Sequence, residues 1–402
     1  MIVFTDYLYK GIGGVGQLVV NTVIQLNKIG QKAKVYASSE SYEYQRLVEE
    51  KADFIFIDSD KVTLKQLPKY VSSDDVIYLT HINNTPLLEE LKEYNNKMIF
   101  YSVHPDTFYC WPKQMSFLCN QKKASNDLVY LLQEKKALLM MDDPNVKGVI
   151  RRGGIIKPEK FRFLPVPIRM ECYEKSSIVK KAETLNVTYL GRGNADWKIF
   201  PVIKILKDLN NMNLQLCLTI ITDSNDNIQS MIERYIPNNK VPVAFKNNLF
   251  GKELEDYLLK ESYLHISMGT SALEGAKLKI PTILCDYSKS EFPEDYKYHW
   301  LYMSKGYSLA DEIFPNSETK GDTLQNILNE IYDKDKYTEI GKRCYQYTVE
   351  NHSLDAHVRI LLKAFEETEM TVADYLNTRF SKNMKYVKPL LEKISKIKRN
   401  IF

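Results

Sequence analysis

Two cations stand six positions apart where a strand should pass into a helix. Gly191-Arg192-Gly193 follows the apolar run at 186–190, and Lys198 comes just after Trp197, at the start of the next helical segment. A guanidinium and an ammonium facing one crevice suit a diphosphate, because they would neutralise its charge as it becomes a leaving group. A second segment, Ser267-Met268-Gly269-Thr270-Ser271-Ala272-Leu273-Glu274-Gly275, leaves another apolar run and enters a helix. Gly269, Thr270 and Ser271 offer backbone and hydroxyl donors to phosphate there. Glu274 offers an acceptor for ribose or sugar hydroxyls, or else a carboxylate that only complements the helix dipole.

The first half of the chain carries its own candidates. Gly11-Ile12-Gly13-Gly14-Val15-Gly16 lies between an N-terminal strand and a helix, where bare backbone N–H groups can approach phosphate. The spacing matches a dinucleotide fingerprint, with Glu40 beyond the next strand as a ribose-binding acid. Against that, residues 6–10 separate the glycines from the strand, which leaves a phosphate or substrate loop and a plain turn as the other readings. His104, before Pro105 and Asp106, ends the apolar run at 97–103, and His81 ends the run at 76–80. Ligands bind at the carboxyl edge of parallel strands, so either imidazole could bond a substrate hydroxyl or shuttle a proton. Trp197, Trp300 and the Met140-Met141 pair read as packing residues.

These groups need a scaffold of alternating strands and helices. Strands are predicted at 1–5, 33–37, 54–57, 76–80 and 97–103, with helices at 15–26, 87–94 and 124–139. The proline-broken stretch Phe163 to Ile168 ends this series. A second series places strands at 186–190, 214–221, 243–245, 263–266 and 281–284, with helices at 198–209, 253–259 and 271–279. Long helices at 323–347 and 352–368 follow. The pattern predicts an α/β protein of two doubly wound domains. Its expected divisions are 1–168 on the acceptor side, a linker at 169–185, a donor domain at 186–350, helices at 351–380 crossing back to the first domain, and a basic tail at 381–402.

Composition narrows the chemistry. The 402 residues carry a net charge of +4, but 381–402 alone carries +6, seven cations against Glu392, so the remainder is −2. No nucleic-acid partner is expected, since such proteins spread cations over the folded surface. Val387, Leu390, Leu391, Ile394, Ile397 and Ile401 form an approximate stripe in the tail, as a helix lying on a membrane surface or packed on the body requires. Six dispersed cysteines suit a reducing cytosol, and neither a secretory signal nor a transmembrane run is read. A cytoplasmic chain, peripheral on the inner face of the membrane, is expected. No metal-ligand cluster and no acyl-transfer nucleophile elbow is found.

The ordered set of Gly13-Gly14, His104, Arg192 with Lys198, and Leu273-Glu274 before Lys279-Ile280-Pro281 resembles the retaining GT-B glycosyltransferases that use nucleotide-diphospho-sugars, in particular those of bacterial capsule and O-antigen assembly. The resemblance covers residues 1 to about 368 and implies two Rossmann-like domains facing across a cleft. It implies that Gly13 and Gly14 approach donor phosphate or acceptor, that His104 contacts the transferred sugar, that Arg192 and Lys198 hold the diphosphate, and that Glu274 binds the ribose. The donor is then a substrate and no cofactor is required; the acceptor is a glycan or lipid-linked glycan. One departure stands out: the family's first signature glutamate would fall at Ile266, eight residues before Glu274. A sugar-nucleotide epimerase, a phosphorylase and a non-catalytic nucleotide-sugar-binding subunit are the alternatives.

Overall fold

A computed structural model describes residues 1–5, 14–81, 84–109, 120–170, 184–193 and 196–385. The chain divides into two compact units, one made of residues 1–166 and 354 onward, the other of Pro167–Ser353.

The first unit is built on seven strands: β1 (Ile2–Thr5), β2 (Ala33–Ala37), β3 (Phe54–Asp58), β4 (Val76–Leu79), β5 (Lys97–Ser102), β6 (Leu138–Met140) and β7 (Arg162–Phe163). They pair in the order β3-β2-β1-β4-β5-β6-β7, every pair parallel. Successive side chains point to opposite faces, which explains why both faces are apolar. Val3, Ile77, Leu79, Met98 and Phe100 line one face; Ile2, Phe4, Tyr78, Ile99 and Tyr101 line the other. Helices α1 (Gly14–Lys28), α2 (Tyr42–Glu49), α3 (Thr85–Glu90), α4 (Gln121–Glu134) and α5 (Asp143–Arg151) connect the strands.

The second unit has six strands: β8 (Leu185–Leu190), β9 (Leu216–Thr222), β10 (Val243–Asn247), β11 (Leu264–Ser267), β12 (Thr282–Leu284) and β13 (His299–Trp300). Their order is β10-β9-β8-β11-β12-β13, parallel except for the antiparallel edge strand β13. Its helices are α6 (Ile199–Asn210), α7 (Asp226–Tyr235), α8 (Gly251–Glu261), α9 (Thr270–Ala276), α10 (Leu324–Glu330) and α11 (Lys334–His352).

Two helices return to the first unit. In α12 (Leu354–Glu367), Val358, Leu361, Ala364 and Phe365 join the apolar face shared with α1. In α13 (Val372–Leu376), Val372 and Tyr375 join the opposite face, and the Tyr375 hydroxyl lies 2.8 Å from that of Thr85. Phe380 and Met384 extend the same cluster, and Lys385 pairs with Glu89 at 2.8 Å. The rest of the basic tail, from 386 on, lies outside the described residues.

Several boundaries depart from expectation for local reasons. The helix expected at 124–139 ends at Glu134 because Lys136 adopts φ 54°, which frees Leu138–Met140 to pair as β6. Residues 162–163 form β7, and Pro165 and Pro167, which lack a ladder donor, keep it short. The single helix expected at 323–347 is two helices, because Asp333 caps α11 by accepting from the N–H groups of Asp335 and Lys336.

Candidate functional site

Parallel strands bring their carboxyl ends to one edge, where connecting loops can collect ligand-binding groups. In the second unit that edge holds Arg192 after β8, Asp223 after β9, Gly269 after β11 and Asp286 after β12. The N–H of Gly193 donates to Asp223 Oδ1 at 2.7 Å. A Cβ at Gly193 would overlap the Ser224 carbonyl oxygen, and one at Gly191 would lie 2.8 Å from the Tyr189 hydroxyl. Only glycine therefore fits on either side of Arg192, whose side chain remains exposed.

Lys198 ends a 3-10 turn and is 9% exposed. Its carbonyl accepts from the Tyr189 hydroxyl at 3.1 Å, and its Nζ lies 5.1 Å from the Trp197 ring centroid. Burial foremost, and Arg192 next, lower its ammonium to about 8, with Cys285 and Asp223 opposing. Arg192 and Lys198 are thus close enough to feel each other's charge. Among the described residues neither makes an ion pair with a carboxylate. Two coupled cations, with Asp223 the smallest of the influences on Lys198, form an anion site that suits a diphosphate.

The α9 segment differs in detail from expectation. Gly269 takes φ 61°, a region open to glycine, but its N–H donates to the Leu309 carbonyl at 3.0 Å and is not available to phosphate. Thr270 is exposed and Ser271 half-buried. Behind them, buried His265 donates from Nε2 to the Ser271 carbonyl at 2.9 Å, while its Nδ1 lies 2.9 Å from the Thr188 hydroxyl. Burial lowers this imidazole to about 4, so it braces the start of α9 as a neutral ring.

Glu274 is half-buried and its Oε2 lies 2.7 Å from Lys277 Nζ, which in turn lies 2.5 Å from Glu255 Oε1. Burial pushes the Lys277 ammonium down, but Glu274 and Glu255 together push harder, and the net shift is upward. Lys277 and Glu255 were not among the sequence candidates. Lys277 could have been found, because three residues after Glu274 it shares a helix face; nothing in the sequence pairs Glu255 with it.

In the first unit, Gly13 lies outside the described residues and Gly14 opens α1 with open space where a Cβ would stand. Gly16 is a packing position: a Cβ there would run into the Glu43 carboxylate. Glu40 is exposed in the turn after β2. His104 and His81 end the adjacent strands β5 and β4. His81 is half-buried, and burial lowers its pKa. His104 is exposed and its Nδ1 accepts from the Asp106 N–H at 3.1 Å, so a neutral ring carries its proton on Nε2 and presents a donor. Thr107 closes the turn by donating from Oγ1 to the His104 carbonyl at 2.7 Å, and Arg152 pairs with Asp106.

Gly148 of α5 lets that turn sit close, since a Cβ there would lie 2.7 Å from Pro105 Cβ and 2.8 Å from its carbonyl oxygen. Gly148→Ala is therefore expected to displace the His104 turn and cost about 1–3 kcal/mol. Thermal unfolding checks this, with a fall of several degrees expected and an unchanged midpoint refuting the packing argument.

No protein-family model matches the sequence, and no curated protein matches it. Solved structures do. A glycosyltransferase from Rickettsia africae ESF-5 superposes with a TM-score of 0.61 at 14% identity, covering 91% of this chain and 97% of that one. Anabaena HepE, solved with UDP and glucose, gives 0.58 at 12%, covering 91% and 99%. The lipopolysaccharide outer core galactosyltransferase WaaB, in apo form, gives 0.57 at 12%, again covering 91% and 99%. The two parallel-sheet α/β units of this chain have the GT-B fold of glycosyltransferases.

Proposed function

We propose that the chain is a glycosyltransferase that moves a sugar from a nucleotide-diphospho-sugar to a hydroxyl of a glycan or lipid-linked glycan in bacterial surface-polysaccharide synthesis. The observation that carries the reading is the coupled pair of cations at the carboxyl edge of the second sheet, Arg192 and Lys198, neither of which makes an ion pair among the described residues. The fold supports it, as do two neighbouring structures, one solved with UDP and glucose and one of a lipopolysaccharide galactosyltransferase.

In the proposed reaction an acceptor hydroxyl attacks the anomeric carbon from the face that the diphosphate leaves. The bond from that carbon to the β-phosphate oxygen breaks, and its electron pair departs with the nucleoside diphosphate. A donor phosphate oxygen takes the acceptor proton, and configuration is retained. Arg192 and Lys198 stabilise the charge that gathers on the leaving group. Glu274 accepts from ribose hydroxyls, with one carboxylate oxygen steadied by Lys277. Thr270 and Ser271 offer their hydroxyls to donor phosphate, and His104 donates from Nε2 to the sugar in transfer. The protein itself needs no cofactor for this sequence of events.

Only charged Lys198 serves this role. Its pKa of about 8 places the ammonium form below that pH, so kcat/KM for donor should fall as pH rises through about 8. Lys198→Arg, which stays charged, should remove that limb. A limb unchanged in the arginine variant would assign it to another group.

The reaction is tested by incubating the chain with candidate nucleotide sugars and glycan acceptors and following nucleoside diphosphate. Release that requires acceptor supports transfer. Conversion of the nucleotide sugar without acceptor would indicate an epimerase, and a requirement for inorganic phosphate would indicate a phosphorylase.

A further inference from the structure

Packing alone does not account for Trp197. Its side chain is half-buried, and Lys198 Nζ stands over the indole, 5.1 Å from the ring centroid. The ring is held in turn. An edge-on contact with Tyr287 puts the two ring centroids 5.5 Å apart at 71°, and the Trp197 carbonyl accepts from the Ser288 N–H at 3.4 Å. Tyr287 is itself tied down after β12, where its N–H donates to the Asp311 carbonyl at 3.0 Å and its carbonyl accepts from the Ile313 N–H at 2.9 Å. With the Lys198 carbonyl fixed by the Tyr189 hydroxyl at 3.1 Å, both ring and lysine are anchored to the sheet.

The ammonium has no anionic partner of its own. Among the described residues Lys198 Nζ makes no hydrogen bond and no ion pair. The charged and titratable groups that act on it are Arg192 from the turn after β8, Cys285 after β12 and Asp223 after β9. Arg192 opposes its charge, and Asp223 has the smallest influence. Cys285 is 1% exposed, and burial foremost, with Asp286 next, pushes its thiol well above the ordinary range, so it stays neutral. A buried ammonium beside a guanidinium needs a stabiliser that is not an anion. The face of an indole is one, because its negative quadrupole attracts a cation, most strongly where water is excluded. A carboxylate in that place would compete with the diphosphate, whereas a ring face leaves the positive charge free to receive it.

We propose that Trp197 is a positioning residue, its indole face holding the Lys198 ammonium in place without a counter-ion until the diphosphate arrives. The role of Lys198 toward the donor rests on the glycosyltransferase reading; the contact between ring and ammonium does not.

Carbon NMR of Lys198 Cε in the free chain, assigned by its absence from Lys198→Arg, is measured beside the pH profile of kcat/KM for donor. Losing an attraction felt only by the ammonium favours the neutral amine. Trp197→Leu should therefore move the Lys198 titration, and with it the descending limb, downward by about one pH unit. Trp197→Phe, with a weaker ring face, should move both part of the way. Should the leucine variant not fold, fluorotryptophan incorporated throughout the chain weakens the face with little change of shape. It should shift both downward in the parent and leave Trp197→Phe unmoved. A ring that only fills space predicts the opposite sign, since its loss admits water, relieves the burial that depresses the ammonium and moves the titration upward. An upward or absent shift in Trp197→Leu, or no shift with the fluorinated ring, would overturn the proposal. A downward shift of the NMR titration with no matching limb in sugar transfer would uphold the contact and sink the glycosyltransferase reading instead.

Discussion

Arg192→Ala is expected to lower kcat/KM for sugar transfer by about 10²- to 10³-fold, the scale seen when one preorganised donor to a developing charge is removed. The fold should not change. The Arg192 side chain is exposed and makes no ion pair among the described residues, and the tight turn around it is set by Gly191 and Gly193. Unfolding midpoints of parent and variant should therefore agree within about 1 °C. A second consequence follows from the charges. Arg192 is one of the two causes that lower the Lys198 ammonium, behind burial. Removing it should move the descending pH limb upward even as the rate falls. A variant with a large loss of stability, or with the limb unmoved, would show that Arg192 acts some other way.

Lys277→Met is expected to destabilise the second unit by about 3–5 kcal/mol, because it strands two carboxylates that now share one ammonium. Lys277 and Glu255 side chains are only 7% and 6% exposed, so solvent gives little relief. The double variant E255L/K277M, which removes charge from both buried partners, should recover most of that loss. Urea unfolding measures both. If the double variant were as unstable as the single one, the damage would be a packing defect and the charge argument would fail. Glu274 gives a further readout. In the folded double variant its carboxylate lacks the Lys277 anchor, so discrimination between a nucleoside diphosphate and its 2′-deoxy form should weaken.

Much of this was legible because of residues with few alternatives. Glycines bracketing an arginine at a strand end allow a tight turn and little else, and the structure requires both Gly191 and Gly193 for close approach. The GT-B resemblance and the two parallel-sheet α/β units are likewise supported by the neighbouring structures. Other features depended on contacts far apart in sequence. Ala137 to Met140 is apolar in a way that suits the end of a helix as well as a strand, and the left-handed turn at Lys136 decides between them. Glu255 carries no local sign that it will meet Lys277, since α8 meets the end of α9 through a cluster of Leu254, Leu258, Leu278, Ile280 and Ile221 of β9 that only the folded chain assembles. Gly269 looked like a phosphate donor, yet the carbonyl that takes its N–H belongs to Leu309. A sequence pattern names the atoms that could bind and leaves open which of them the fold has already used.

In the proposed reaction Arg192 and Lys198 hold the diphosphate of a nucleotide sugar. Isothermal calorimetry with UDP, GDP, ADP, CDP and dTDP, on the parent and on Arg192→Ala, tests it most directly. Saturable one-to-one binding of at least one of these, weakened tenfold or more in the variant, is the predicted result. Absence of binding to all five, or equal affinity in the variant, would contradict it.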